Sequence, residues 1–277
     1  MNKRTSGIID CVIFLVVFFL IQLVTMFLTA SVSMFLKGFD VSLILQKLQS
    51  RDLGMGSKEL IMVSVLSSIA TIVLFMWRKW SPFSRVYIKS KSWVTLIWVV
   101  LLSIGTILPS EWIQEQMDLQ MPENMEQMFS AILKEPWGYA AIGILVPIAE
   151  EMVFRGAVLR KLLDMFSPRQ HWIPIIISAL VFGLFHGNKA QLPHAVFIGL
   201  ILGWMYYRTG SIVPGVVLHW VNNTVAYLLF HFMPQLNDGK LIDLFHGSER
   251  MMVMGLVCSL CILLPSLLQL SQRLKRP

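Results

Sequence analysis

The chain has 277 residues, of which 56% are hydrophobic and 14% are charged. A soluble domain carries about 25% charged residues, so this chain has too few charges to cover a water-exposed surface. The high hydrophobicity also excludes intrinsic disorder. The cysteines lie in apolar stretches and do not suggest a disulfide framework: Cys11, Cys258 and Cys261. The composition therefore predicts an all-α, polytopic membrane helix bundle, with residues 1–277 forming one integral-membrane domain.

Uncharged runs between the Lys, Arg, Asp and Glu residues predict the membrane-spanning helices. Seven runs contain at least 18 residues, close to the roughly 20 that a bilayer core requires: 11–36, 60–77, 92–110, 170–188, 190–207, 209–237 and 251–272. An eighth run, 136–149, is long enough only if its helix continues through Glu150 and Glu151. We therefore expect about eight transmembrane helices, one of which carries carboxylates at membrane depth.

The acidic, methionine-rich segment 111–135 follows the third predicted span. It suits an amphipathic helix at the outer membrane interface, and a plain connector is an equally good interpretation. The sequence shows no inverted repeat of the kind found in many transporters. This counts against a transporter with a polar path through the bundle.

The distribution of Lys and Arg predicts the orientation. If the N-terminus is cytoplasmic, 14 of these residues fall in inner segments and eight in outer ones, which is the bias expected of cytoplasmic loops. We therefore expect a multi-pass protein of the cell membrane with both termini cytoplasmic. The net charge of +7 follows largely from this topology and suits an anionic lipid surface. The expected partner is thus the lipid bilayer and not a nucleic acid.

Ionisable residues inside the predicted spans are the first candidates for function, because a charge at the bilayer centre costs at least ~2.5–3.5 kcal/mol. Glu151 and Arg155 are spaced i, i+4, which places them on one helix face as an ion pair. We expect this pair to support the structure. The neighbouring carboxylate, Glu150, points to another face and has no cation near it in the helix. Glu150 is therefore the free carboxylate.

Further polar groups lie in later spans. His186 is near the end of the fifth predicted helix, and His219 and Asn223 share one face of the seventh by i, i+4 spacing. His194, at the start of the sixth helix, is expected at the membrane interface. Asn222 is expected to form a hydrogen bond between helices. The candidate site thus combines one free carboxylate, two imidazoles and an amide from three helices.

These groups could hydrolyse an amide bond in either of two ways. A carboxylate and an imidazole can hold and deprotonate a water, while a second imidazole and an amide donate hydrogen bonds to the developing oxyanion. Alternatively, Glu150, His186 and His219 could bind a catalytic zinc ion, although the H-E-x-x-H signature is absent. No G-x-S-x-G sequence indicates a serine nucleophile. The residues alone leave both mechanisms open.

Three motifs resemble those of a known family of intramembrane peptidases. Residues 150–156, EEMVFRG, are similar to its E-E-x-x-x-R motif. Residues 182–186, FGLFH, are similar to F-x-x-x-H, and residues 219–223, HWVNN, to H-x-x-x-N. The family is the type II CAAX prenyl protease and bacteriocin-processing group, abbreviated CPBP. The resemblance covers about residues 137–230, which form the motif-bearing core.

The resemblance implies an eight-helix bundle whose site opens toward the membrane interior. It implies that one Glu–His pair activates water and that a His–Asn pair stabilises the oxyanion, namely Glu150 with His186 and His219 with Asn223. It also favours a mechanism that requires no metal or other cofactor, with zinc as the alternative. The expected partner is a membrane-embedded protein or peptide substrate.

The sequence thus predicts an intramembrane endopeptidase, and two other classes remain open. One is a non-catalytic membrane scaffold or a bacteriocin-immunity-type protein, roles described for some members of the resembled family. A Glu150→Ala variant would keep its cellular effect if this alternative were correct. The other is a transporter, which would show substrate flux in proteoliposomes.

The charge distribution leads to a topology prediction. Fusions to a reporter that is active only in the cytoplasm should be active after Lys3, Lys89 and Arg276. Fusions near Asp118 and Lys240 should be inactive. Asp118 follows the third predicted span and Lys240 follows the seventh, and an odd number of crossings from a cytoplasmic N-terminus leads to the outer side. A reporter that is active only outside the cell provides the complementary reading. An outer location for Lys89 would contradict the eight-span topology.

Overall fold

The computed structural model describes residues 3–50, 52–82, 89, 92–117, 119, 121–233 and 240–275. All regular secondary structure in these ranges is helical, which confirms the all-α prediction. Several residues used in the charge count or in the fusion design lie outside the described residues: Arg51, Arg85, Lys91, Asp118 and Arg276.

Ten helices lie in the described ranges: α1 (Lys3–Leu36), α2 (Val41–Ser50), α3 (Ser57–Trp77), α4 (Trp93–Gln116), α5 (Glu123–Lys134), α6 (residues 139–163), α7 (Trp172–Phe185), α8 (Leu192–Thr209), α9 (Val213–Phe232) and α10 (Glu249–Arg273). Two short 3₁₀ turns, Pro168–Gln170 and Leu241–Phe245, precede α7 and α10. Every helix except α2 and α5 corresponds to a predicted span. The first begins at Lys3 rather than at residue 11, because a helix can continue with charged residues beyond the bilayer core.

Five of these helices are long and apolar enough to cross a membrane: α1, α3, α4, α9 and α10. The chain is therefore a multi-pass membrane protein. The 14 residues of α7 extend only about 21 Å, less than the roughly 30 Å of a bilayer core. The turns of α6 are irregular, and α8 contains His194 and Arg208. That α6, α7 and α8 also cross remains a prediction.

The segment 111–135 contains a helix rather than a plain connector. Its first residues continue α4, and α5 follows with acidic residues in its first turn and Lys134 in its last. Leu133 is the buried residue of α5, so this helix exposes most of its surface. The hydroxyl of Ser57, the first residue of α3, donates a 2.7 Å hydrogen bond to Glu135. This bond holds the end of α5 against the start of α3.

The motif-bearing helix α6 lies in the centre of the bundle, packed against α1, α3, α7, α8 and α9. Every residue of its segment Met152–Leu159 is buried, as expected for a helix that is surrounded by others. Its neighbours α7 and α8 are themselves in close contact. A Cβ atom at Gly199 of α8 would lie 3.1 Å from the Cα of Ala179 in α7. Small residues at such crossings let membrane helices approach closely.

Candidate active site

The backbone of α6 is irregular where it carries the first motif. Two π-helical segments, Tyr139–Leu145 and Met152–Leu159, lie on either side of the α-helical segment Val146–Glu151. Glu150 and Glu151 are the last two residues of that short segment. π-helical turns are rare, and they are frequent at functional sites because they change the direction in which side chains project.

A proline explains how Asn223 is attached to α6. In the first π-helical segment, the N–H of Val146 donates to the carbonyl of Ala141, five residues earlier. The next carbonyl, that of Ile142, would accept from residue 147 in the same pattern, but Pro147 has no N–H. The side-chain amide of Asn223, on α9, donates to this carbonyl instead, at 3.1 Å. The hydrogen bond fixes both the position and the orientation of the Asn223 amide.

Glu151 and Arg155 form the ion pair that their spacing predicts. Arg155 Nη1 donates to Glu151 Oε1 at 2.7 Å, and the two side chains are 1% and 0% exposed. The guanidinium also lies 4.2 Å from the ring centroid of Phe182 in α7, and its Nη2 donates to the carbonyl of Gly199 in α8 at 3.4 Å. The pair therefore neutralises itself inside the bundle and attaches α6 to two neighbouring helices.

The imidazole of His219 lies between the two glutamates. Its Nδ1 is 3.3 Å from Glu151 Oε1, and its Nε2 is 3.7 Å from Glu150 Oε2. Since a carboxylate accepts, Nδ1 is the donor toward Glu151, which directs Nε2 toward Glu150. The Glu150–His219 separation exceeds direct hydrogen-bond range. Glu150 therefore retains oxygen atoms that can contact water or substrate.

His186 reaches the same region from the end of α7. Gly187, with a φ of +71°, ends the helix immediately after it. The Nδ1 of His186 is 3.0 Å from the carbonyl of Phe182, so Nδ1 donates and Nε2 is left as an acceptor. His186 and His219 both meet the Phe182 ring edge-on, with centroid distances of 4.9 and 5.8 Å. Both imidazoles therefore contact the same aromatic ring.

His194 was expected at the membrane interface, and the structure places it near two of the predicted site residues, His186 and His219. Its Nδ1 is buried and has no hydrogen-bond partner within the described ranges. It interacts electrostatically with His186 and His219, and its side chain meets that of Asn222. The interfacial location of His194 stays a prediction. The connection between α7 and α8 is short. A residue at the start of α8 must therefore lie close to the end of α7.

The four predicted catalytic residues come from three helices and gather around the Phe182 ring and α6. The pairing differs from the expectation: Glu150 faces His219, and no direct contact joins Glu150 to His186 in the described part of the chain. The contact of Asn222 on α9 with His194 on α8 agrees with the interhelical role expected for Asn222.

The arrangement does not fit the alternative zinc site. Among the residues that the structure describes, no three His, Cys, Asp or Glu side chains are grouped as metal ligands. Glu150 and His219 are close to each other, but His186 does not complete the set with them. A catalytic zinc ion normally takes three protein ligands, which the described geometry does not supply.

Comparisons with known proteins point to the same region. Residues 132–225 match the family model described as Type II CAAX prenyl endopeptidase Rce1-like. The chain is 24% identical over 107 residues to the Bacillus subtilis (strain 168) protein named "Putative membrane peptidase YdiL", covering 39% of this chain and 43% of that protein. The chain thus spans less than half the length of that relative. No solved structure matches this chain significantly.

The buried ion pair leads to a stability prediction. Glu151→Gln should leave Arg155 as an uncompensated buried charge, which costs about 3–5 kcal/mol, and should lower the yield and the melting temperature in detergent. Asp10→Asn is the matched control, because it breaks a partly exposed pair with Lys161 (2.8 Å) that should be worth at most about 1 kcal/mol. The double variant Glu151→Gln with Arg155→Met should recover part of the loss. Equal melting temperatures for Glu151→Gln and Asp10→Asn would contradict this account.

The geometry also leads to a prediction about metal. Activity should survive strong chelation, and the purified protein should contain much less than one zinc ion per chain, because no third ligand joins Glu150 and His219 among the residues that the structure describes. Elemental analysis and activity before and after chelation are the measurements. One tightly bound zinc ion per chain, with activity lost on its removal and restored by added zinc, would overturn the metal-free mechanism.

Proposed function

We propose that this chain, which residues 132–225 identify as a member of the CPBP family, is an intramembrane endopeptidase that cleaves a membrane-embedded protein or peptide. The Rce1-like family match and the relative named as a membrane peptidase support a membrane protease. The observation that carries the chemistry is the Glu150 carboxylate facing the His219 imidazole, 3.7 Å away, within the helix bundle.

The charges of the site favour a mobile proton between these two residues. Glu150 and Glu151 contribute two negative charges, and Arg155 contributes one positive charge. A net charge is costly in a buried environment, and one proton shared between Glu150 and His219 makes the cluster neutral. We infer that Glu150 is the carboxylate that exchanges protons, since Glu151 already accepts hydrogen bonds from both Arg155 and His219.

In the proposed reaction, a water oxygen attacks the carbonyl carbon of the scissile peptide bond while Glu150 accepts a proton from that water. His186 assists because its Nδ1 donates to its own helix, so that its Nε2 can accept the second hydrogen of the water. When the C–N bond breaks, Glu150 returns the proton to the leaving nitrogen. The products are a carboxyl group and an amine, and one water is consumed.

His219 and Asn223 are proposed to stabilise the negative oxygen that forms during the attack. With the shared proton on Nε2, His219 donates a hydrogen bond to this oxygen. Asn223 donates one amide hydrogen to the carbonyl of Ile142. Its second amide hydrogen can be donated to the negative oxygen. An amide already held in position needs no reorganisation during the reaction, which is the main advantage of an oxyanion hole.

Glu150→Gln is the decisive variant. It should lower turnover by a factor of about 10²–10⁴, the range expected for losing general-base catalysis. Folding should stay near normal, because Glu150 forms no tight ion pair with any residue in the described ranges. The measurement is mass spectrometry of peptides released from the membranes of cells that express each variant. Glu126→Gln, on the exposed surface of α5, is the matched control and should release the same peptides as the wild type.

Two results would reject parts of this proposal. A folded but inactive Glu151→Gln together with an active Glu150→Gln would move the base to the other carboxylate. A cellular effect that persists unchanged in Glu150→Gln, with no peptide specific to the wild type, would favour the non-catalytic scaffold or immunity protein.

A further inference from the structure

We propose that a chamber between α1, α3 and α6, lined by both polar and apolar side chains, stores the water that the reaction consumes and delivers it to Glu150. The inference rests on the proposed peptidase function. The chamber has a volume of about 170 Å³, and the remainder of its lining is apolar. Its polar groups come from all three helices: Gln22 of α1, Ser64, Ser67 and Ser68 of α3, and Glu150 of α6. Two of its three walls therefore lie outside residues 132–225, the region that matches the family model.

The polar groups of the lining are arranged to accept and donate hydrogen bonds within the chamber. Ser64 donates its hydroxyl hydrogen to the carbonyl of Leu60 (3.0 Å), and Ser67 donates to the carbonyl of Ser64 (3.3 Å). Each oxygen keeps lone pairs that can accept from a water. The side-chain amide of Gln22 has no hydrogen-bond partner among the residues that the structure describes. Polar groups left unsatisfied in a bilayer are costly, and water is the natural partner for them.

The size of the chamber is also appropriate for water. A water molecule occupies about 30 Å³ in the liquid, so the chamber could hold on the order of five. A water in a cavity of this size needs two to four polar partners, which the five polar side chains of the lining supply, whereas a wholly apolar cavity of similar size remains dry.

The depth of the chamber shows why a store of water would be useful. Ser67 is ten residues beyond Ser57, the first residue of α3, which corresponds to about 15 Å along the helix axis. That distance is half of a roughly 30 Å bilayer core. Lipid supplies no water at this depth, yet each turnover needs one. Glu150 forms part of the chamber wall, so a stored water would lie beside the proposed base.

Chemical labelling tests the hydration of the chamber independently of activity. In a chain with Cys11, Cys258 and Cys261 replaced by Ala, Ser67→Cys is treated with a charged thiosulfonate in proteoliposomes. The matched control is Leu66→Cys, at the same depth on the same helix, where the native side chain is 41% exposed toward the membrane. Ser67→Cys should react at least about tenfold faster, because the reacting species is the thiolate, which requires water to form.

Equal labelling rates at positions 66 and 67 would overturn the water chamber. Ser64→Cys provides a second test at the same wall, and it should be labelled like Ser67→Cys. A cysteine differs little from serine in size, so neither variant is expected to disturb the fold. If the wild-type protein releases no peptide, the proposed function fails, while the labelling result still decides whether the chamber is hydrated.

Kinetics test whether the stored water serves the reaction. Gln22→Leu removes the amide from the chamber wall and should lower kcat and kcat/KM by the same factor, with KM unchanged, since water acts after the substrate has bound. Thr25→Val is the matched control on α1, because the Thr25 hydroxyl bonds to its own helix (Ile21 carbonyl, 2.8 Å) and is not part of the lining. The substrate is the peptide precursor identified by the membrane-release comparison. A raised KM with unchanged kcat would show that the chamber binds substrate and would reject its role as a water store.

Discussion

The buried ion pair between Glu151 and Arg155 is the interaction on which the rest of the site depends. Neither side chain is more than 1% exposed, so each charge relies on the other for compensation. Arg155 extends toward Phe182 of α7, and Glu151 accepts from Nδ1 of His219 on α9. One interaction within α6 therefore contacts the aromatic ring that both imidazoles meet and sets the direction of the His219 ring. Glu150 can remain free for chemistry because Arg155 and His219 both bind Oε1 of its neighbour, Glu151.

The pair fits inside the bundle because two neighbouring helices have glycine next to it. A Cβ atom at Gly215 of α9 would lie 2.6 Å from Glu151 Oε2, and one at Gly199 of α8 would lie 3.4 Å from Arg155 Nη2. Small residues let membrane helices approach closely, and here they also provide the volume that a buried carboxylate and guanidinium require. The same two glycines therefore allow both the buried ion pair and the close packing of α6 with α8 and α9.

The sequence alone determined the features that depend on local spacing. Composition and the lengths of uncharged runs identified an all-helical membrane protein, since a bilayer imposes a minimum length of apolar helix. The i, i+4 relation identified Glu151 and Arg155 as a pair, because residues at this spacing meet on one helix face. The motifs indicated a resemblance to the CPBP family, and residues 132–225, which contain them, match the Rce1-like family model. All of these follow from information contained within single helices.

Only the tertiary structure decided which side chains from different helices meet. Glu150 faces His219 rather than His186, and His194 lies near His186 and His219. Such pairings depend on how each helix is rotated and shifted, which the spacing within one helix does not encode. The π-helical turns of α6 add a further change of direction, and Asn223 stabilises one of them from α9. The chamber beside Glu150 likewise forms only where α1, α3 and α6 meet, because each contributes polar side chains that its own sequence pattern does not place together.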